Sequence, residues 1–195
     1  MNATPPQASD ARQPIMVRPM EVRDAEATAI VWASAWRTAY RGLVPDAVLE
    51  GLDLDQSAQR FRDRVAERQR DPRQSITVAE VAGRVVGFCG FGPERRADHD
   101  FTGAPGVGEI TALYVDPEYW RRGVGAALTV SACAQLSRTY DRWVLWVLRD
   151  NHQARRFYEG LGFSYDDVAE TRVYFDTPMH VVRYVLRRPP ADPLR

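Results

Sequence analysis

The chain has no lysine. All 26 of its basic residues are arginine, and 26 acidic residues balance them to a formal net charge of zero. A general nucleic-acid binder is more often basic overall, so that class is discounted. Only two cysteines occur, Cys89 and Cys133. Each sits in an apolar run and reads as a small buried hydrophobe. There is no His-Glu-x-x-His and no cysteine pair at zinc spacing, so no metal site is expected. A Gly-x-Ser-x-Gly elbow is missing too, which removes the commonest serine-hydrolase signature. No apolar run approaches ~20 residues and no signal peptide is visible, so the expectation is a soluble cytoplasmic protein without a membrane partner. Disorder over most of the length is excluded by a 45% hydrophobic content and five tryptophans. The length of 195 residues predicts one domain.

What is present is a mixture of strand and helix signals. Residues 1–14 hold Pro, Gln, Ser and Asn with little apolar content and predict a disordered arm. Residues 15–188 predict the single domain. Pro189-Pro190 opens a flexible tail over 189–195. Ile15–Met20 predicts a first strand, and Asp24 a cap for a helix to about Tyr40. A second helical region covers Ala47–Leu52 and Gln56–Arg70. Ser75–Val81 and Arg84–Phe91 predict strands joined by a hairpin turn at Ala82-Gly83. Gly92–Gly106 is polar and reads as a loop. Val107–Val115 predicts a strand, Gly123–Arg138 a helix, and Arg142–Leu148 a strand buried on both faces. A helix over Asn151–Leu161 and strands over Phe163–Ala169 and Val181–Arg187 complete the domain. This mixture implies an α/β or α+β layered sheet.

The most informative stretch runs from Ile110 to Leu128. A β-branched and aromatic run ends at Asp116-Pro117. Arg121 and Arg122 follow, then Gly123-Val124-Gly125 and a helix-forming run. A glycine-rich helix start offers unpaired N–H groups and the positive end of a helix dipole. Two arginines beside it add charge, so the stretch suits a phosphate or pyrophosphate. It is not a P-loop, because no Lys-Ser/Thr follows the glycines, and it lacks the third glycine of a dinucleotide fingerprint. A bare Gly-x-Gly can also be only a tight connection.

Arg121-Arg-Gly-Val-Gly-Ala126 after Leu-Tyr-Val-Asp-Pro resembles the acetyl-CoA loop of the GNAT superfamily of N-acetyltransferases. Leu148-Arg-Asp-Asn-His-Gln-Ala-Arg-Arg-Phe-Tyr-Glu-Gly-Leu-Gly-Phe163 resembles the second signature of that superfamily. One position departs: Trp120 stands where the family has Gln or Arg. The resemblance implies a mainly antiparallel sheet of about seven strands flanked by four helices, with the fourth and fifth strands splayed. It implies an enzyme that moves acetyl from acetyl-CoA to a primary amine, on a small molecule, by direct attack in a ternary complex. Other readings are acetylation of a protein N-terminus or lysine, and a non-catalytic acyl-CoA-binding regulatory module. The oligomeric state is left open, with a homodimer allowed.

The resemblance also implies site residues. Backbone groups of Leu113, Tyr114 and Val115 would pair with pantetheine, and the amides of Arg121, Arg122, Gly123, Val124, Gly125 and Ala126 would hold the pyrophosphate. Asn151 and Tyr158 are seven apart, which puts them within roughly 20° of one helix face. By resemblance Tyr158 is the acid for the leaving thiolate and Asn151 a cofactor contact. By residue chemistry alone they are a packing tyrosine and an N-cap. Glu109 begins the strand that leads to the thioester position. It is the best candidate base, acting through a water, although a solvated strand-end glutamate is the plain alternative. Strand alternation would put Glu109, Thr111, Leu113 and Val115 on one face, barring a bulge. His180 and His99 are weaker candidates. Trp36 and Tyr40, on one aromatic stripe with Trp32, are expected to line the acceptor pocket, with Trp32 in the core.

Overall fold

Turn and cap chemistry set the element boundaries. The structure, a computed structural model, describes residues 13–71, 73–94 and 106–187. Most of the predicted N-terminal arm, the C-terminal tail and His99 lie outside the described residues. Strand β1 covers Met16–Pro19 and helix α1 Ala25–Ala39. Asp24 occupies the N-cap position of α1, but its carboxylate is used elsewhere. It accepts from the Glu21 N–H at 2.8 Å and from Arg18 at 2.7 and 2.9 Å, tying β1 to the start of α1. The Arg18 hydrogen bonds hold its carboxyl below the usual range.

The second helical region is two helices, α2 at Asp46–Glu50 and α3 at Leu54–Arg70. Asp53 separates them and caps α3 by accepting from the Gln56 N–H at 2.9 Å. The described residues therefore hold five α-helices, where four were expected. Strands β2 (Ser75–Val81) and β3 (Arg84–Pro93) meet at Ala82-Gly83, both with positive φ, as a two-residue hairpin requires. Strand β3 takes in Gly92 and Pro93, which had read as loop. Then come β4 (Val107–Val115), α4 (Val124–Leu136), β5 (Arg142–Leu148), α5 (His152–Gly160), β6 (Ser164–Tyr174) and β7 (Thr177–Arg187).

The strands form one seven-stranded sheet in the order β1-β2-β3-β4-β5-β7-β6. Every pairing is antiparallel except β4 with β5, which α4 connects as a crossover. One sheet face carries α1, backed by α3, over Val78, Phe88 and Tyr114. The opposite face carries α4 and α5 over Ala79, Cys89, Ile110, Leu145 and Tyr184. Phe88, Leu128, Leu145 and Tyr184 are among the fully buried side chains, and burial of such a group contributes about 1.5–3 kcal/mol.

Two irregularities in β4 shape the molecule. Its pairing with β5 lasts only from Val107–Ile110 against Arg142–Leu145; beyond that the strands part. On the other edge, Gly90 pairs with Ala112 but Phe91 with Ile110, which leaves Thr111 as a bulge. The bulge changes the phase of the strand. Ile110, Leu113 and Val115 pack toward α4, while Ala112 and Tyr114 pack toward α1. Gly108 backs onto Leu136 and Tyr140, so Glu109 turns to the α1 side. The expected common face of Glu109, Thr111, Leu113 and Val115 does not form, because the extra residue breaks the period of two.

Candidate active site

The parting of β4 and β5 opens a cleft of about 780 Å³. Its walls are β4 from Ile110 to Val115, whose edge is free beyond Ile110, Trp146 to Leu148 of β5, the start of α4, one face of α5 and the end of α1. A strand edge without a neighbour presents N–H and C=O groups that an extended ligand can pair with. Leu113, Tyr114 and Val115 all stand on this edge. The Val115 carbonyl already accepts from the Trp120 indole N–H at 2.7 Å. Trp120, the position that departs from the family pattern, thus ties the end of β4 to the turn that follows. Sequence reasoning had no signal for this bond.

That turn is built from unusual backbone. Arg121 has φ of 60° and Gly123, the N-cap of α4, has φ of 89°. Glycine adopts this left-handed conformation without the Cβ penalty, and here it aims the helix start into the cleft. The first bond inside α4 runs from Ala127 N to Gly123 O at 2.9 Å. The amides of Val124, Gly125 and Ala126 precede it, as the orphan donors of a helix N-terminus do. Gly125 faces the ring of Phe157: a Cβ there would stand 3.1 Å from it. Arg121, Gly123, Gly125 and Ala126 line the cleft, and Arg156 of α5 joins them. The side chains of Arg122 and Val124 do not. Arg122 lies over the Tyr119 ring at 5.2 Å, and Val124 is buried in the core.

On α5, Asn151 and Tyr158 both border the cleft, as their seven-residue spacing predicts. Asn151 is also the helix cap, accepting from the Ala154 N–H at 3.0 Å. Tyr158 is 8% exposed and packs on Phe157 and Phe163 at 5.2 and 6.0 Å between ring centroids. Burial, with smaller contributions from the Cys89 thiol and the Tyr114 phenol, raises its pKa well above the usual 10. The phenol stays protonated across the physiological range.

Trp36 and Tyr40 meet at the far end of the cleft, their rings 4.6 Å apart at 85°. Trp32 is buried beneath them in the core. Burial also raises the phenols of Tyr40 and Tyr114. Tyr174, Met179 and Trp146 complete this end. Tyr174 and Met179 escaped the sequence reading because β6 and β7 run farther than predicted, through a turn at Phe175-Asp176 that has positive φ at both residues but no glycine. Trp146 lies on β5, whose near-continuous apolar run does not say which side chains meet the cleft.

Glu109 is 3% exposed and does not itself line the cleft; it is the residue before Ile110 and Thr111, which do. His180 is exposed and pairs with Thr171 through Nδ1 at 3.0 Å, away from the cleft. Burial raises both cysteine thiols, Cys133 to about 11 and Cys89 further, so neither is a thiolate nucleophile at neutral pH. Among the described residues no helix is long and apolar enough to cross a membrane.

A splayed edge, a helix N-terminus with arginines beside it, and a neutral phenol between them are complementary to a phosphate-bearing thioester. Comparison with known proteins agrees. The pattern of the Acetyltransferase (GNAT) family matches residues 23–163. An uncharacterized N-acetyltransferase of Mycobacterium tuberculosis (strain H37Rv) is 32% identical over 168 residues, covering 85% of this chain and 97% of its own. A mycothiol acetyltransferase of Thermobispora bispora is 42% identical over 89 residues, which span 45% of this chain but only 29% of that protein. The crystal structure of the PaiA N-acetyltransferase of Thermoplasma acidophilum in complex with coenzyme A superposes with a TM-score of 0.69 at 19% identity, over 87% of this chain and 98% of that one. The chain belongs to the GNAT family of acetyltransferases.

Proposed function

We propose that the protein transfers the acetyl group of acetyl-CoA to a primary amine on a small molecule, by direct attack. The observation that carries this reading is the convergence of the free β4 edge, the Gly123 start of α4 and Tyr158 on one cleft. Acetyl-CoA supplies an activated acyl group as its thioester. The Leu113–Val115 edge would hold the pantetheine arm, and the first-turn amides of α4 with Arg121 and Arg156 the phosphates. Asn151 would bind through the part of its amide not used in capping.

The chemistry is balanced within the site. A C–N bond forms as the C–S bond breaks. The amine gives up one proton, which balances the thiolate that leaves, and the Tyr158 hydroxyl would donate a hydrogen bond to that sulfur as its charge develops. Glu109 would take the amine proton through a water, since it is near the cleft but not in its wall. The raised thiols favour direct transfer over a cysteine-bound acyl enzyme.

The test is steady-state release of CoA thiol from acetyl-CoA with a panel of amines, beside calorimetry of acetyl-CoA alone. Binding and amine-dependent thiol release are expected. Binding without release under every amine would leave an acyl-CoA-binding module, and no binding would remove the reading.

A further inference from the structure

The two ends of the cleft differ in chemistry. Arg121 and Arg156 stand at the α4 end. The opposite end is walled by Trp36, Tyr40, Tyr114, Trp146, Tyr174 and Met179. Among the described residues no Asp or Glu lines the cleft at all. The two arginines over the Trp146 ring hold the carboxylates on that side, although one oxygen of Asp166, Oδ1, is buried without a hydrogen-bond partner among the described residues. Glu170 bonds Arg172, while Asp166 and Glu94 bond Arg183.

An acceptor with a second positive charge is poorly served here. Its extra ammonium would lose water and find no carboxylate in the wall. Aromatic rings can stand in for an anion, but they need an open face. The Arg172 guanidinium already lies over Trp146, 4.2 Å from the ring centroid, and Arg183 follows at 5.8 Å. Trp36 is flanked by Tyr40 and Phe175, both nearly perpendicular to it at 4.6 and 5.4 Å. The phenols do not become anions to compensate, because burial raises Tyr40 and Tyr114. A flat apolar group meets none of these penalties and buries its surface against the same rings.

We infer that the acceptor is a primary amine on an uncharged aromatic or bulky apolar body, seated between Trp36, Tyr174 and Met179 with its amine toward β4. This deepens the acetyl-transfer reading and rests on it. Polyamines and lysine-bearing peptides are disfavoured.

The experiment measures kcat/KM for thiol release at saturating acetyl-CoA with 2-phenylethylamine, spermidine and a lysine-containing tetrapeptide. The aromatic amine should exceed each of the others by at least ~10-fold, the low end of what burying one ring supplies. Tyr174→Ala, which removes one wall near the hairpin, should raise the KM for 2-phenylethylamine about 10-fold with acetyl-CoA affinity unchanged. That unchanged affinity also shows that the variant is folded. Equal or better turnover of spermidine or the peptide overturns the inference and leaves acetyl transfer standing. Acetyl-CoA binding without release under 2-phenylethylamine also overturns the inference, and release under another amine then decides whether acetyl transfer stands. The wild-type comparison decides even if the variant fails to fold. Failure of acetyl-CoA to bind the wild type removes both readings together.

Discussion

At the scale of single residues, Tyr158 and Glu109 are set apart by their surroundings. The Tyr158 phenol is held neutral by burial, above the usual 10, while a thiol ionises near 8.5. Complete proton transfer from such a phenol to sulfur is uphill by itself. The hydroxyl therefore acts by donating to sulfur as charge develops, while the proton released by the amine keeps the balance. Tyr158→Phe keeps the ring against Phe157 and Phe163 and removes only that donor. Turnover should fall by roughly 10²–10⁴-fold with acetyl-CoA affinity unchanged. Wild-type turnover in the variant would leave Tyr158 a packing role alone. Glu109 is tested differently. An aliphatic ammonium has a pKa near 10.4, so little free amine exists at neutral pH. Glu109→Gln should lower kcat/KM at neutral pH and recover part of it at high pH, where the ammonium loses its proton unaided. A pH–rate profile that overlays the wild type assigns the proton to another acceptor.

At the scale of elements, the site is the junction of a strand that parts from its neighbour and a helix that begins on glycine. Gly125 is the tightest point, since a Cβ there would stand 3.1 Å from Phe157. Gly125→Glu adds bulk and a negative charge beside the orphan amides. Calorimetry should show acetyl-CoA affinity falling at least ~10-fold, about 1.4 kcal/mol. Much of this junction was legible in the sequence. Strands β2, β4 and β5 begin and end where their alternation and flanking turns put them, and the Gly123 start was marked by its neighbours. Asn151 and Tyr158 could be placed on one helix face from helical period alone, and the resemblance turned that face to the cofactor. The bulge at Thr111 was not legible, because its cause is the pairing of β4 with β3 and no residue type announces it. The face of Glu109 was lost with it. The break between α2 and α3 fell between the two predicted helical stretches, but the start of α3 on Leu54, capped by Asp53, was missed by two residues. The acceptor wall from β6 and β7 escaped because their turn has positive φ without glycine.

At the scale of the whole molecule, the sheet is two lobes with a narrow join. Strands β1–β4 form one lobe and β5–β7 the other. Between them the direct pairing is the short run of Val107–Ile110 with Arg142–Leu145, and the cleft takes the rest of the seam. A ligand that fills the seam contacts both lobes at once and is lost on unfolding. Such a ligand stabilises the native state by mass action, by about 2.7 kcal/mol at a concentration 100 times its Kd. For a chain of this size each kcal/mol moves the melting temperature by about 2–4 °C. Acetyl-CoA at that concentration should therefore raise Tm by roughly 5–10 °C. The variants separate binding from chemistry in the same scan. Tyr158→Phe should show the full shift, since it loses a proton donor and keeps the seam. Gly125→Glu should show at most about half of that shift at the same concentration, since a ~10-fold weaker Kd leaves about 1.4 kcal/mol of stabilisation. If Gly125→Glu melts with an undiminished shift, the cofactor lies outside the β4–β5 seam, and the assignment of the cleft falls with it.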